Sequence, residues 1–263
     1  MFRLGLTPPH PCDYLPGREA RSLVVVDEAS LSPSAYDFFL AQGFRRSGSH
    51  VYRPWCDRCR QCVAVRIPVE AFRPDRGQRR VLRRNGDLEA EWVVTDRLDD
   101  EQWRLYRSYL QARHADGEMV HASRAASDDF LFGSWPRTRL LELRLGAELV
   151  AVAVTDQQPR SLSALYTFFH PAHARRSLGT LAILLQVEAA RREGRPWLYL
   201  GYWIPDCRKM SYKAGFLPLE ARRAERKIGE EQWARLENAV EAARFRQRVQ
   251  APFHRPDAHP FQK

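Results

Sequence analysis

Residues 139–200 constrain the fold more than any other part of this chain. Arg139 to Leu145 and Glu148 to Val154 are apolar-rich runs separated by Gly146-Ala147, the signature of a hairpin. A turn at Gln157-Gln158-Pro159-Arg160 leads into a third run, Leu162 to Phe169, stopped by His170-Pro171. Arg175-Arg176-Ser177-Leu178-Gly179-Thr180 then opens a helix that runs to Gly194. A buried strand follows, Trp197-Leu198-Tyr199-Leu200, ending at Gly201. Three antiparallel strands, a loop, a helix and a further strand need both α and β layers, so the fold class is α+β.

The end of that last strand is the first candidate site. Tyr202 and Trp203 come next, and Pro205 reads as a helix start because its missing N–H would be unpaired there anyway. Lys209, Met210, Tyr212 and Lys213 fall within about one turn of that helix, before Gly215. Aromatic and cationic groups at the C-terminal end of a strand suit a ligand, although a buried strand with a solvated helix gives the same pattern. The loop at 175–180 offers a second site. Free N–H groups and the positive end of the helix dipole make it an anion seat.

The 263-residue chain carries a net charge of +10, which suits a polyanionic partner. Only four of its 42 basic residues are lysine (209, 213, 227 and 263), an arginine bias that genome composition alone can produce. Arg73-Pro74-Asp75-Arg76-Gly77-Gln78-Arg79-Arg80-Val81-Leu82-Arg83-Arg84-Asn85 is the densest stretch. Helical from Gly77, it aligns Arg76, Arg79, Arg80, Arg83 and Arg84 on one face, where guanidinium forks match phosphates or carboxylates. No apolar run reaches membrane-span length and the N-terminus lacks a signal-peptide core, so the expected compartment is the cytoplasm. Five cysteines, an odd number, argue against a disulfide framework. Cys56-x-x-Cys59-x-x-Cys62 spaces three thiols for zinc or an iron–sulfur cluster, with Cys12 as fourth ligand and His50 or Cys207 behind it; reduced thiols packed by a strand are the alternative.

The rest of the chain reads as elements around these sites. Ser22 to Val26 is a strand, Ser32-Pro33-Ser34 starts a helix that Gly43 ends, and 44–52 is a short hairpin. Val63 to Ile67 and Glu89 to Thr95 are strands, and Asp99 to His114 is a helix with a Trp103, Tyr106, Leu110 stripe. Residues 115–137 read as mixed and polar, Glu230 to Arg248 as an amphipathic helix, and 250–263 as a tail. Two domains are expected, 1–95 and 96–249.

The element order resembles that of the Gcn5-related acetyltransferases, a mixed sheet flanked by helices, here with a fused N-terminal α+β domain. Their acetyl-CoA loop needs a second small residue where this chain has Leu181, which counts against acetyl-CoA. Four stretches instead resemble the bacterial aspartate/glutamate leucyltransferases, relatives of the arginyl-tRNA–protein transferases. They are Tyr52-Arg53-Pro54…Cys59…Cys62-Val63…Arg66-Ile67-Pro68-Val69…Phe72-Arg73-Pro74; Gln78-Arg79-Arg80-Val81-Leu82-Arg83-Arg84-Asn85; Tyr166-Thr167-Phe168-Phe169-x-Pro171…Arg176-Ser177-Leu178-Gly179-Thr180; and Tyr199-Leu200-Gly201-Tyr202-Trp203-Ile204-Pro205…Lys209-Met210-x-Tyr212-Lys213…Phe216. Cys12-x-Tyr14-Leu15-Pro16-Gly17 is similar to the family's opening.

The resemblance implies transfer of leucine from leucyl-tRNA to proteins that begin with Asp or Glu, marking them for degradation, with no cofactor required for the chemistry. On that reading Tyr166, His170, Tyr202, Lys209, Tyr212 and Lys213 are the catalytic candidates. Arg175, Arg176, Ser177, Leu178, Gly179 and Trp203 would hold the tRNA end, and Arg79, Arg80, Arg83 and Arg84 would read the acceptor carboxylate or grip tRNA. His170 stands where the family usually has Asp. Arginyl transfer is the alternative within the class, and a metal-bearing RNA-binding protein the alternative outside it.

Overall fold

The computed structural model describes residues 2–27, 31–113, 115, 117–133, 137–222 and 232–253. In chain order its strands are β1 (Leu4–Leu6), β2 (His10–Pro11), β3 (Glu19–Ala20), β4 (Ser22–Val25), β5 (Arg45–Ser47), β6 (His50–Pro54), β7 (Val63–Pro68), β8 (Glu89–Val94), β9 (Thr138–Leu145), β10 (Glu148–Gln157), β11 (Ser161–Phe169), β12 (Trp197–Trp203), β13 (Leu219–Arg222) and β14 (Trp233–Leu236). The α-helices are α1 (Pro33–Ala41), α2 (Arg76–Arg84), α3 (Asp100–Arg113), α4 (Arg124–Phe132), α5 (Leu178–Arg192), α6 (Arg208–Ser211) and α7 (Ala239–Gln250). None of the described helices is long and apolar enough to cross a membrane. The chain forms two compact units, one of residues 1–46, 50–72 and 199–263, the other of 47–49 and 73–198.

In the second unit β11, β10, β9 and β8 lie side by side, all antiparallel. β10 is apolar almost throughout because both of its faces are covered. One face packs Val152 and Val154 with Leu105, Tyr106 and Leu110 of α3 and Leu131 and Phe132 of α4. The other packs Val150, Ala151 and Ala153 with Leu178, Leu181 and Ala182 of α5, and Val81 and Leu82 of α2 lie against that cluster. The β10–β11 register slips between Val154, opposite Tyr166, and Thr155, opposite Ala164. That irregularity leaves Leu165 over and bends the strand next to Tyr166.

In the first unit one sheet runs β1-β4-β6-β5 and another run of strands is β14-β13-β7-β12. Leu23 and Val25 of β4 point inward, alternating with half-buried neighbours. Phe39 of α1 meets Phe2 and Phe44 edge-on. Arg66 of β7 is buried, donates to Glu220 at 2.6 Å and to the Tyr199 hydroxyl at 3.0 Å, and lies 4.2 Å over the Trp233 ring.

Capping explains most helix starts. Ser32 accepts from Ala35 N–H in α1, Ser123 from Ala126 in α4, and Asn238 from Val240 and Glu241 in α7. Asp75 and Gln78 cap α2 reciprocally, as Asp99 and Gln102 cap α3. Four expectations need correction. Pro205 starts a turn, not a helix: α6 begins at Arg208 after a Cys207 N–H to Ile204 carbonyl bond, and a 3-10 turn (Tyr212–Gly215) follows. The helix expected over 230–248 is a strand at Trp233–Leu236 and a helix only from Ala239, because Trp233 is claimed by Arg66 and by the Ala41 carbonyl; Glu230 lies outside the described residues. Residues 115–137 contain α4, started by the Ser123 cap. The expected tail reaches into the helix at Gln250, and its residues 254–263 lie outside the described residues.

Candidate active site

The loop between β11 and α5 is the best-formed candidate in the second unit. His170 leaves the sheet with its N–H on the Val150 carbonyl, and its Nδ1 accepts from Ala172 N–H at 3.3 Å. The segment Pro171–Arg176 turns as a 3-10 helix, and Ser177 then adopts φ 60°, ψ 45°. A left-handed serine is uncommon and is held only where its surroundings demand it. The Ser177 side chain does not cap α5. The N–H groups of Leu178 and Gly179 have no acceptor among the described residues. The 15-residue helix behind them puts roughly half a positive charge at this open end.

The arginine helix α2 is fastened to this loop. Arg84 Nη1 donates to the Arg175 carbonyl at 2.6 Å. Buried Asn85 donates through Nδ2 to the Arg176 carbonyl at 3.0 Å and to the Val81 carbonyl at 2.8 Å. Arg176 returns across the gap to grip Asp87 with two bonds of 2.8 Å, which holds the Asp87 carboxyl below its usual range. Two sequence-derived groups, the arginine segment and the loop at 175–179, are therefore one structure. Their arginines differ in role. Arg79, on the Pro74 carbonyl, Arg84 and Arg176 are tied to protein. The side chains of Arg80, Arg83 and Arg175 are exposed, with no partner among the described residues. The expected face of exposed arginines on α2 is present, with Val81 and Leu82 turned inward.

Tyr166 stands apart from this anion seat. Its ring lies among Tyr106, Tyr109 and Phe130, with centroids 5.7 to 6.3 Å away. Its hydroxyl is buried without a partner, and burial pushes its pKa up. The phenol is thus a neutral donor, not a base. His173 Nε2 lies 3.2 Å from Glu148, and His170 joins them in a trio whose ligand atoms fall within 4.8 Å of one another.

The other expected residues are in the first unit. Tyr202 is 1% exposed, and its hydroxyl shares the carbonyls of Gly43 and Tyr52 at 3.0 and 3.1 Å. Trp203 is 3% exposed and packs against Phe245. Lys213 is 4% exposed, with Nζ 2.7 Å from the Tyr202 carbonyl and 3.3 Å from Met210 Sδ; burial and Arg45 lower its pKa well below normal. These rings and this ammonium line the inside of the unit, because β12 is covered on both faces. Tyr212, 52% exposed, and Lys209 remain at the surface.

Cys12, Cys59, Cys62 and Cys207 gather around Leu15, Tyr202 and Ile204, with Cys56 close enough to act on Cys62. Burial and the neighbouring thiols push the Cys62 thiol well up. No three of the sulfurs lie within 4.8 Å of one another, whereas tetrahedral thiolate ligands of zinc sit about 3.8 Å apart. The thiols as placed do not fit a closed tetrahedral centre. A cleft of about 990 Å³ beside them is lined by Arg18, Arg21, Arg58 and Arg60. Nothing local in the sequence singles out Asp87, Glu148 or His173, whose roles come from partners distant in sequence.

The family model described as arginine-tRNA-protein transferase, N terminus, matches residues 10–80, and the corresponding C-terminus model matches 101–223. The aspartate/glutamate leucyltransferase of Chromohalobacter salexigens is 50% identical over 221 residues, covering 83% of this chain and 89% of that protein. Those of Aeromonas hydrophila and Stenotrophomonas maltophilia are 47% and 50% identical, covering 84% of this chain and 92% and 90% of their own lengths. Among solved structures, the C-terminal domain of a putative lysylphosphatidylglycerol synthetase from Agrobacterium fabrum aligns with a TM-score of 0.43 at 17% identity, over 63% of this chain and 50% of that one.

Proposed function

The chain belongs to the arginine-tRNA-protein transferase family and within it to the aspartate/glutamate leucyltransferases, and we propose that it moves leucine from leucyl-tRNA onto proteins beginning with Asp or Glu. The observation that carries this reading is 50% identity over nearly the whole length of a leucyltransferase. The need for charged tRNA supports the cytoplasm as the compartment of the reaction. The functional division is proposed to follow 1–95 and 96–249, near the limits of the two family models.

The donor is an activated ester, so the task is alignment. The acceptor's neutral α-amine attacks the leucyl carbonyl carbon, a C–N bond forms, and the tetrahedral oxyanion collapses. The bond to the ribose oxygen then breaks, and the amine's proton ends on that oxygen. Holding amine and ester together can supply ~7–11 kcal/mol of the barrier. The open N–H groups of Leu178 and Gly179, with Arg175, suit a phosphate near the tRNA 3′ end. Arg80 and Arg83 extend that surface along the RNA, and Tyr212 and Lys209 offer a second one. Tyr166 donates from its apolar surroundings to a carbonyl oxygen or oxyanion. His170 is the proposed proton carrier. Tyr202 and Lys213 act from inside, by position.

The test is transfer of labelled amino acid from purified leucyl-tRNA or arginyl-tRNA to peptides beginning with Asp, Glu or Ala. Transfer from leucyl-tRNA alone, to Asp and Glu only, is expected. Transfer from arginyl-tRNA changes the donor, and transfer from neither refutes the reading. Charge reversal at Arg83 separates two roles: lost tRNA affinity supports the RNA grip, and lost acceptor selectivity with tRNA bound supports carboxylate reading by α2.

A further inference from the structure

The start of β10 and the turn before α5 bring three metal-binding side chains together, and the proposed transfer uses only one of them, His170. Glu148 is the first residue of β10. The His170 N–H is bonded to the Val150 carbonyl, which fixes the turn beside that strand start. His170 and His173 stand at the two ends of one 3-10 step, closed by the His173 N–H on the His170 carbonyl at 3.0 Å. Such a step returns the fourth residue to the side of the first, and the two imidazole centroids are 5.7 Å apart. All three residues belong to the second unit.

His173 Nε2 is 3.2 and 3.3 Å from the two oxygens of Glu148. Ligand atoms bound at about 2.0–2.1 Å around a tetrahedral zinc ion are roughly 3.3 Å apart, so this pair already has the spacing of two such ligands. One ligand atom from each of the three residues lies within 4.8 Å of the other two. The remaining gap is within reach of rotation at His170, whose ring is held by a single long hydrogen bond, from the Ala172 N–H to Nδ1 at 3.3 Å. An ion pair accounts for Glu148 and His173 alone, and the second imidazole adds a lone pair that such a pair does not need. Of the cations that follow, Arg176 is committed to Asp87, and the Arg175 side chain is exposed.

We propose that Glu148, His170 and His173 form a site for a zinc-type dication, an inference that goes beyond the transferase reading and does not depend on it. Two imidazole nitrogens and one carboxylate suit zinc, cobalt or nickel, whereas magnesium and calcium call for oxygen donors. The ion takes the place of the hydrogen between His173 and Glu148, and the carboxylate offsets part of its charge. Three protein ligands leave at least one position to water. Glu148 is exposed and both histidines are half-buried, so the ion enters and leaves from solvent. Bound there, it clips the start of β10 to the turn between β11 and α5.

The experiment titrates zinc, and separately cobalt, into wild type, Glu148→Gln, His173→Gln and His121→Gln, the last a change at a histidine outside the trio. Melting midpoints are recorded with and without metal. In wild type, zinc at ~100 times its dissociation constant should raise the midpoint by roughly 5 °C or more. Glu148→Gln and His173→Gln should bind at least ~10-fold more weakly, since changes merely behind a metal ligand already cost that much. Both should melt near wild type without metal, because neither side chain is in the core, and His121→Gln should match wild type throughout. The cysteines of the first unit compete for the same ions, and cobalt tells the two sets apart. The absorption that wild type has and His173→Gln lacks should consist of weak visible bands, without the strong near-ultraviolet charge transfer of a thiolate ligand. Where a variant does not fold, wild type decides alone: zinc should shift the ring-nitrogen NMR signals of His170 and His173. Equal zinc affinity in wild type, Glu148→Gln and His173→Gln overturns the site. So does thiolate charge transfer in the lost absorption, an equal loss in His121→Gln, or ring signals that zinc leaves in place.

Discussion

Asn85→Ala tests whether the loop at 170–179 is held by α2 for RNA binding. The side chain is 4% exposed and bridges two carbonyls, Val81 at the end of α2 and Arg176 in the loop. Alanine removes both donors and supplies none, and no water reaches a site so enclosed without local opening. Each bond contributes about 1 kcal/mol, and a buried carbonyl left bare adds to that, so the loss is about 2–3 kcal/mol. For a chain of this size it lowers the melting midpoint by roughly 5–10 °C. Arg84→Met, which removes one exposed contact to the Arg175 carbonyl, should lower it far less. Thermal melting followed by circular dichroism gives the first number, and fluorescence anisotropy with labelled leucyl-tRNA gives the second. Well below the midpoint, the Asn85→Ala protein should bind tRNA about tenfold more weakly, corresponding to about 1.4 kcal/mol of ordering lost from the seat. Unchanged melting would show that the bridge does not form. Lowered melting with full tRNA affinity would leave the bridge intact as structure and remove the loop from RNA binding.

Other perturbations probe separate links. Gly133 has φ +55° and ψ −142°, and a Cβ there would lie 2.7 Å from the Gly48 carbonyl carbon; Gly133→Ala should cost about 3 kcal/mol or more, read by chemical denaturation. Arg80→Met and Arg83→Met should each lower the slope of log affinity for tRNA against log salt by about 1, since neither arginine has a protein partner to lose. Cys62, whose thiol is held protonated by burial, should alkylate more slowly at pH 8 than Cys12 or Cys59, as peptide mass mapping would show. Because its folded pKa lies above the unfolded one, Cys62 favours the fold at neutral pH. It withdraws that support as pH rises past the ordinary thiol range, so stability should fall above about pH 9.

The strands and helices of 139–200 were legible because their cores are built from uninterrupted apolar runs, and covered faces leave that mark in the sequence. β13 was not legible. It carries Glu220 and buried Arg222, whose places are explained by Arg66 and Gln42 far away in sequence. In sequence Trp233 and Leu236 also fit a helical stripe, and it is pairing with β13, the Arg66 stack on Trp233 and the Trp233 bond to the Ala41 carbonyl that make Trp233–Leu236 a strand. In the site, the Ser-Gly helix start was visible as an anion seat. Its fastening was not: nothing local shows that Asn85 reaches Arg176, or that Arg176 returns to Asp87. Tyr202 and Lys213 were visible as unusual residues at a strand end, but their enclosure depends on Tyr52, Gly43 and Arg45.

The net charge of +10 has to be divided before it says anything about partners. Much of the arginine is mortar. Arg66 is spent on Glu220, Tyr199 and Trp233, and Arg144 on Glu101 and Glu142. Arg139 lies 3.9 Å over Trp92 and reaches Glu193, and Arg176 holds Asp87. Guanidinium suits this work because its flat face stacks while its edge donates. Pairs with carboxylates cancel, so the excess behind a pI of about 9.7 lies in arginines held by carbonyls and rings or by no protein partner. The stronger evidence is where pairing stops. Arg80, Arg83 and Arg175 stand unpaired beside an uncapped helix end, where phosphate oxygens can reach several donors together. Exposed unpaired cations lose affinity steeply with salt, because condensed counterions compete for them. Raising ionic strength should therefore weaken tRNA binding steeply, and the preference for Asp over Asn peptides should hold nearly constant if these arginines serve RNA alone. A preference that fades in step with tRNA affinity would mean that both are read by the same exposed arginines.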